Sequence, residues 1–282
     1  MTSRARRIRR LAFTTVLVTA TTAMILFLFL PIMALFLRVP PMDLVRALGE
    51  PVARDAMIVT LQSTLIAQVI IVVVGTPAAY LIATRRFPGR TFIVTLTELP
   101  LVLPPAVAGL ALLAVFGRLG LLGGTLETLG IQIPFTQVAV VMAITFVASP
   151  FYLRQAIAAF GEVDTRLLDA ARTLGAGPGR VFVQLALPLA GRGLAAGAAL
   201  AFGRGVGEFG ATIMFAGSMQ GVTQTLSLAI YSQFDVNFDV ALALGAVMVA
   251  ISAAILLTAK FLPQWLPSSS TSHSPAVGSP SV

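Results

Sequence analysis

Six long apolar stretches constrain this chain more than any other feature of its sequence. They occupy residues 11–37, 56–83, 91–116, 135–153, 194–216 and 240–262. A helix of about 20 apolar residues crosses the hydrocarbon core of a bilayer, and each stretch is about that long or longer. With 57% hydrophobic and only 11% charged residues, the chain also lacks the polar surface of a soluble domain. The sequence predicts an all-α, polytopic membrane protein with six transmembrane helices.

The distribution of positive charge predicts the orientation of these helices. Five arginines precede the first stretch: Arg4, Arg6, Arg7, Arg9 and Arg10. With six spans, most of the 19 Lys and Arg residues fall on the same side of the membrane as this segment. Because cytoplasmic loops carry an excess of Lys and Arg, both termini are predicted to be cytoplasmic. The first stretch is too long for a signal-peptide core, so it is predicted to be a retained helix.

These patterns predict three regions. Residues 1–10 form a basic cytoplasmic N-terminus, residues 11–262 form the transmembrane domain, and residues 263–282 form a cytoplasmic tail. The tail is rich in Ser and Pro and has little to bury, so it is predicted to be disordered.

Several classes of site are excluded by residue usage. The chain has no cysteine and a single histidine, His273, which argues against a metal site or a nucleophilic triad. No G-x-x-x-x-G-K-[ST] motif occurs, so the chain has no P-loop for ATP. The basic residues are not gathered into a soluble domain, so nucleic acid is not an expected partner. We therefore predict no catalytic residue, metal or cofactor in this chain.

The longest polar interval contains a short amphipathic helix. Helical spacing from Gly161 to Gly175 places Val163, Leu167, Leu168, Ala170, Ala171 and Leu174 on an apolar face, opposite Arg166, Asp169 and Arg172. Glu162 and Asp164 would start this helix and Gly175 would end it. A second helical segment, residues 180–187, should run until Pro188 interrupts it. On composition alone, an amphipathic helix lying on the membrane surface explains the pattern as well as a docking element does.

The spacing within this interval resembles a known signature. Asp169-Ala170-Ala171, three residues, Gly175, nine residues, Leu185, one residue and Leu187-Pro188 match every gap of the EAA signature of ABC importer permeases. Two substitutions depart from the signature: Asp169 stands for Glu, and Leu185 stands for Ile. The shorter Asp169 side chain puts any salt bridge assigned to that position in doubt.

The resemblance implies a type I ABC importer permease fold with a coupling segment at residues 160–190. In that family this helix docks into a groove on a separate ATPase subunit. The implied partners are a second permease copy in a homodimer, two cytoplasmic ATPase subunits, an external substrate-binding protein and membrane lipid. The residues expected to transmit force are Asp169, Ala170, Ala171, Arg172, Gly175, Leu185 and Pro188. The chain itself is not expected to be an enzyme.

A closer resemblance, to the molybdate permease branch, covers roughly residues 56–262. It rests on Phe87-Pro88-Gly89, Pro100-Leu101-Val102-Leu103-Pro104-Pro105, Ala170-Ala171-Arg172-Thr173-Leu174-Gly175-Ala176-Gly177 and Gly207-Glu208-Phe209-Gly210-Ala211-Thr212. Sulfate and thiosulfate permeases are similar as well. The implied substrate is an oxyanion: molybdate first, then tungstate, then sulfate or thiosulfate.

Charged residues inside the apolar stretches are candidates for a translocation pathway or for helix packing. Arg204 and Glu208 are four residues apart on the predicted fifth helix and are expected to pair. Gly203 and Gly207 are expected to permit close helix packing, and Thr212 lies in the same stretch. Proline at 100, 104 and 105 suggests that the third span begins near Leu99, which leaves Glu98 at the inner interface with Arg86 and Arg90.

Other readings stay open from the sequence. Residues 222–234 could form an external helix that meets a binding protein or rests on lipid. An ion-coupled secondary carrier would need a functional intramembrane charge, for which Glu208 is the candidate. A membrane-embedded enzyme is disfavoured because no cluster of catalytic residue types lies at membrane depth.

Overall fold

The computed structural model describes residues 3–261, with side chains described for residues 10–258. These residues are mostly helical and contain no strand, so the all-α prediction is confirmed. The helices in chain order are α1 (Ser3–Arg38), α2 (Pro41–Gly49), α3 (Pro51–Thr84), α4 (Arg90–Val102), α5 (Pro105–Phe116), α6 (Gly123–Thr128), α7 (Gln137–Gly161), α8 (Thr165–Thr173), α9 (Pro178–Val181), α10 (Leu187–Val206), α11 (Gly210–Ala216), α12 (Leu226–Phe234) and α13 (Phe238–Phe261). A π-helical segment, Phe182–Ala186, joins α9 to α10. The predicted tail, residues 263–282, lies outside the described residues.

Five helical runs are long and apolar enough to cross a membrane. They are Arg10–Arg38, Pro51–Thr84, Gln137–Gly161, Pro178–Val206 and Phe238–Thr258. A sixth span exists if α4 and α5 are counted together, although they meet at a bend of 115°. The apolar stretch 91–116, expected to form one helix, is thus divided between two helices. The expectation that the third span enters the membrane near Leu99 stays a prediction. Pro100 lies inside α4, and the chain turns at Leu103 and Pro104, where a proline prevents the helix from continuing.

The chain divides into two compact units. Among the described residues, the first comprises Ser3–Leu61 together with Gly217–Ala253, and the second comprises Gln62–Ala216 together with residues 254–261. In the first unit, a small core forms where Ala53 and Ala56 of α3 meet Leu226 and Ala229 of α12 and Leu244 of α13. These alanine and leucine side chains bury apolar surface without removing any polar group from its hydrogen-bond partners.

The external helix predicted from Val222 begins later than expected. Gly221 has φ of +74°, and the carbonyl of Met219 accepts hydrogen bonds from the three amides of residues 222–224. α12 therefore starts at Leu226, whose amide donates to Thr60 Oγ1 at 2.7 Å. Thr223 and Gln224 are buried in this turn.

The second unit holds the larger core, in which α10 packs along α7. Cβ atoms at Gly193 and Gly197 would clash with Ala159 and Gln155 of α7, so both positions need a residue without a side chain. A Cβ at Gly205 would also lie too close to Ile144, at 2.9 Å. Gly203 was expected to permit close helix packing, but a Cβ there would make only an ordinary contact with Ile255, so this prediction is wrong. Gly207, expected to act in the same way, is exposed in this chain.

Candidate functional site

α8 is the short amphipathic helix that the sequence predicted, with later bounds. Asp164 precedes it in an extended conformation, and its side chain accepts a hydrogen bond from the amide of Arg166 at 2.9 Å. This carboxylate caps the helix start, where amides lack helical partners. Glu162 ends the preceding helix α7 instead of starting α8. The prediction that one helix runs from Gly161 is therefore wrong by one turn.

The face of α8 that packs on the protein is narrower than predicted. Leu168 is buried in the same core cluster as Phe160 and Val181, and Ala171 packs against it. Leu167, by contrast, is 47% exposed and Leu174 is 88% exposed, and Ala170 is also exposed. Half of the predicted apolar face is thus left uncovered by this chain.

A charged pair lies beside these exposed apolar residues. Arg172 Nη1 donates to Asp169 Oδ1 at 2.8 Å, an i, i+3 pair on the surface of α8. Exposed pairs of this kind contribute little to stability. The surface of α8 therefore combines apolar side chains with a pair whose charges can be shared with a partner.

Gly175 ends α8 with a reversal of the chain. It has φ of +87°, its amide donates to Arg172 O, and the amide of Ala176 donates to Ala171 O. These two bonds are those of a Schellman motif, which requires a left-handed residue at this position. A Cβ at Gly175 would meet no atom within 4 Å, so the backbone conformation, and not space, is the reason for glycine.

After the turn, the helical run continues through Pro188. Pro178 starts α9, and the amide of Leu187 donates to Phe182 O, five residues back. This π-helical register leaves room for the proline ring, which would clash with a carbonyl in a regular α-helix. The prediction that Pro188 interrupts the helix is wrong, since Pro188 lies at the start of α10 within a continuous run. Leu185 is half-buried and Pro188 is exposed.

Three aromatic rings join this run to two other helices. The Phe182 centroid lies 4.8 Å from that of Tyr80 in α3 and 6.3 Å from that of Phe160 in α7. Tyr80 and Phe160 pack edge to face at 5.3 Å. Edge-to-face and tilted rings at these distances attract one another beyond their burial. The sequence reasoning did not identify this cluster, because its members come from helices far apart in the chain.

Arg204 and Glu208 form the predicted ion pair. Arg204 Nη2 lies 2.6 Å from Glu208 Oε2, and the other carboxylate oxygen, Oε1, accepts from the amide of Ala211 at 2.7 Å. The pair does not lie on one helix, since α10 ends at Val206 and α11 begins at Gly210. Glu208 therefore bridges the two helices across the break.

Two further predicted residues lie at the same break. Gly207 caps α10, and Thr212 is fully buried in α11, with no hydrogen-bond partner for its hydroxyl in the described part of the chain. α11 itself packs against α5 so closely that a Cβ at Gly210 would meet Pro105 at 2.5 Å. The bend between α4 and α5 and the break between α10 and α11 thus lie side by side.

Glu98 lies closest to an arginine that the sequence analysis did not associate with it. Its carboxylate lies 3.9 Å from Nε of Arg154 in α7, while Arg90 Nε donates to Ile82 O at 2.7 Å. Arg90 is thus occupied at the C-terminal end of α3, where a cation is favoured.

A cavity of about 430 Å³ lies away from these residues, between α5, α6 and the segment before α7. Its lining is mainly apolar, and its two charged residues, Arg118 and Glu127, pair with each other at 3.4 Å. Both are exposed. No predicted site residue lines this cavity.

Comparison with known proteins identifies the architecture. The family model described as "Binding-protein-dependent transport system inner membrane component" matches residues 71–268. The chain belongs to this family. Its membrane helices and the exposed α8 are therefore those of the membrane component of a transport system, and the predicted ABC importer permease is confirmed.

Curated relatives of this inner membrane component are transport permeases. The molybdenum transport system permease protein ModB of Mycobacterium tuberculosis is 41% identical over 83% of this chain and 88% of its own length. The probable transport system permease protein NifC of Clostridium pasteurianum is 36% identical over 71% of both chains. The sulfate transport system permease protein CysT of Escherichia coli is 34% identical over 87% of this chain and 89% of its own.

Solved structures share the fold of this inner membrane component. One similar structure is a chain of the bacterial alginate ABC transporter, crystallised with an alginate pentasaccharide-bound periplasmic protein. The match covers 90% of this chain and 94% of that chain, with a TM-score of 0.72 and 16% identity. A chain of the inward-facing MetNI methionine ABC transporter covers 80% and 96%, with a TM-score of 0.55 and 20% identity. The predicted permease fold is thereby confirmed.

Proposed function

We propose that this chain is the membrane-spanning permease of an importer for a tetrahedral oxyanion, with molybdate as the leading substrate. The observation that carries this proposal is the 41% identity with a molybdenum transport permease over 83% of the chain. A putative molybdenum transport permease of Bacillus subtilis, 38% identical over 64% of the chain, supports the same substrate. The resemblance of the Gly207–Thr212 stretch to molybdate permeases agrees with it.

We further propose that α8 docks on a separate ATPase subunit. The uncovered Leu167, Ala170 and Leu174 lie beside the Asp169–Arg172 pair, and a chain without a P-loop needs another subunit to hydrolyse ATP. Apolar contacts flanked by complementary charges suit a specific protein interface. Ala171, Gly175, Leu185 and Pro188 would then set the direction in which the segment leaves that interface.

In this proposal, ATP binding closes the ATPase dimer and draws two coupling helices together. The Phe182 ring carries this movement to α3 and α7 through its contacts with Tyr80 and Phe160. The pathway opens outward in response, and hydrolysis resets it inward. The chemistry of hydrolysis lies in the ATPase chains.

The proposed assembly contains two copies of this chain, two ATPase subunits and an external binding protein. It lies in the inner membrane with both termini in the cytoplasm, as the five arginines at residues 4–10, before the first apolar stretch, favour. In the most apolar part of α1, no residue is buried inside the chain. This exposure supports a position of α1 in lipid or against the second copy. Arg204, Gly207, Glu208 and Thr212 are proposed to lie at the pathway or beside it.

Reconstitution tests the proposal directly. The permease, its ATPase and its binding protein are placed in proteoliposomes, and uptake of radiolabelled molybdate is followed with ATP inside and without it. We expect uptake only when ATP and the binding protein are both present. Uptake that persists after ATP depletion at a constant ion gradient would instead indicate an ion-coupled carrier.

Because the chain has no cysteine, a single introduced cysteine is the only site that a maleimide labels, and the orientation of the chain can be tested in this way. Single cysteines replace Thr173 in α8 and Tyr231 in α12, and intact cells are treated with a membrane-impermeant maleimide. We expect labelling at position 231 in intact cells and at position 173 only after the membrane is opened. Labelling of position 173 from outside contradicts both the topology and the docking proposal.

Sulfate is the second candidate substrate, because a sulfate permease is 34% identical over 87% of the chain. Calorimetry of the cognate binding protein with molybdate, tungstate, sulfate and thiosulfate separates these anions. A preference for sulfate would reassign the substrate and leave the permease assignment intact.

A further inference from the structure

The pair formed by Arg204 and Glu208 is asymmetric in its exposure. The Glu208 side chain is 1% exposed, whereas that of Arg204 is 27% exposed. One carboxylate oxygen contacts the guanidinium and the other accepts from the Ala211 amide. The carboxylate is therefore fixed in the interior, and the guanidinium is the member of the pair that remains accessible.

Arg204 lies in a helical run, Pro178–Val206, that is long and apolar enough to cross a membrane, so its exposed guanidinium needs surroundings other than lipid tails. A guanidinium at membrane depth is costly against hydrocarbon, and such residues face a protein interior or a water-filled space. Arg204 lies near the end of α10, about 24 Å along the helix from Pro188. A second copy of the chain or an aqueous route for the substrate satisfies this requirement.

An arginine in this position can bind the anion that the proposed transporter carries. The guanidinium has five N–H donors in a planar fork, which suits the oxygens of a tetrahedral oxyanion. At low dielectric, an unpaired guanidinium would hold a dianion strongly. A transport route needs the opposite, since an anion that binds too tightly does not leave.

We infer that Glu208 is a built-in counter-anion that keeps Arg204 from retaining the transported oxyanion. This inference rests on the proposed function. The carboxylate neutralises the guanidinium from the buried side and leaves a weak donor on the accessible side. The net charge of the pair is zero, so the oxyanion passes Arg204 without being trapped, and selectivity is left to the binding protein.

If the Arg204–Glu208 pair only holds α10 to α11, the expected effect of one substitution differs from that expected if Glu208 masks the charge of Arg204. In Glu208→Gln, the amide oxygen still accepts from Ala211 and the side chain keeps its shape, but the charge is lost. A structural role then predicts a weaker link between α10 and α11. Charge masking predicts that the variant gains an anion site.

The test measures molybdate binding to the permease–ATPase complex in nanodiscs, without the binding protein. We expect Glu208→Gln to bind molybdate at least about tenfold more tightly than the wild type. The double variant Arg204→Gln/Glu208→Gln should lose this gain. Glu127→Gln is the matched control, because it removes the carboxylate of another arginine pair, Arg118–Glu127, which is exposed; it should bind as the wild type does.

Each outcome decides the inference. A monodisperse Glu208→Gln complex with no gain in molybdate affinity overturns it, and so does a gain that survives in the double variant. If Glu208→Gln is unstable, purification with millimolar molybdate replaces the binding measurement, since an anion at Arg204 should restore the folded complex. Failure of molybdate to restore it also overturns the inference.

The same preparations separate this inference from the proposed function. Wild-type complex that takes up no molybdate with ATP and binding protein present contradicts the proposed function. Wild-type complex that takes it up, together with a Glu208→Gln complex that gains no affinity, contradicts charge masking alone.

Discussion

The ring of Phe182 packs against the ring of Tyr80 with their centroids 4.8 Å apart. Phe182 begins the π-helical segment that follows the exposed α8 and its turn, and Tyr80 lies four residues from the end of α3. This contact therefore connects the segment that follows α8 directly to the C-terminal end of α3.

Phe182→Leu tests this contact. The shorter, non-aromatic side chain weakens the contacts with Tyr80 and Phe160 while leaving α8 unchanged. We expect the complex to assemble and to hydrolyse ATP, with uptake per ATP reduced roughly fivefold or more. The measurement is the ratio of uptake to hydrolysis in proteoliposomes.

Phe116→Leu provides the control for that ratio. Phe116 packs against Phe215, in α11, at 6.4 Å. It should lower thermal stability to a similar extent without changing uptake per ATP. Equal effects of the two variants on the ratio would contradict a special role for Phe182.

Gly175→Asp should leave the chain folded and inserted but uncouple transport. An aspartate at φ of +87° strains the backbone by about 1–2 kcal/mol, and relief of that strain redirects the turn after α8. Gly177→Asp adds the same charge two residues away, where φ is −66°, and should retain uptake. Full uptake by Gly175→Asp in proteoliposomes would count against the proposed role of the turn.

Gly193→Ala should destabilise the second unit by about 1–3 kcal/mol through overpacking. The added methyl clashes with Ala159 on α7. Gly191→Ala, also in α10, meets no atom within 4 Å and should raise stability by up to about 1 kcal/mol through helix propensity. Thermal unfolding of the detergent-solubilised chain distinguishes them, and a similar melting temperature for both variants would refute the packing argument.

Thr60→Val should destabilise the chain by about 1–3 kcal/mol, because it leaves the buried amide of Leu226 without an acceptor. Thr64→Val removes a buried hydroxyl that has no hydrogen-bond partner among the described residues, so it should be neutral or stabilising. Melting temperatures of the two variants in the same detergent provide the comparison. A larger loss for Thr64→Val would show that this hydroxyl is hydrogen bonded in the folded protein.

Apolar periodicity and charge were sufficient to predict the all-α membrane class, because hydrocarbon leaves few structures for such stretches. The breaks were harder to place. Proline at 188 and at 104 disfavours a continuous α-helix equally. The helical run nevertheless continues through Pro188 with a π-helical register, whereas the chain bends at Pro104. Neighbouring packing decides between these outcomes, and a single sequence does not contain it.

The candidate site divides in a similar way. The cap at Gly175 follows from spacing, since local rules govern helix ends. The Arg204–Glu208 pair was also expected from spacing, although it forms across the break between α10 and α11 and not on one helix. The exposure of Leu167 and Leu174 did not follow, because amphipathic spacing marks an apolar face without saying which chain covers it. The cluster of Tyr80, Phe160 and Phe182 depends on contacts between distant segments, and only the fold brings those rings together.

The corner at Leu103 and Pro104 has a consequence for how the chain tolerates hydrocarbon. Helices of 13 and 12 residues meet there, and a reversal inside a bilayer ordinarily leaves amide donors without acceptors. Pro104 and Pro105 have no N–H to leave unsatisfied, while the carbonyl of Pro104 accepts from Val107 and Ala108. The two prolines that break the span thus also remove two amide donors from the bend, and alanines in their place would add two N–H groups that need acceptors there.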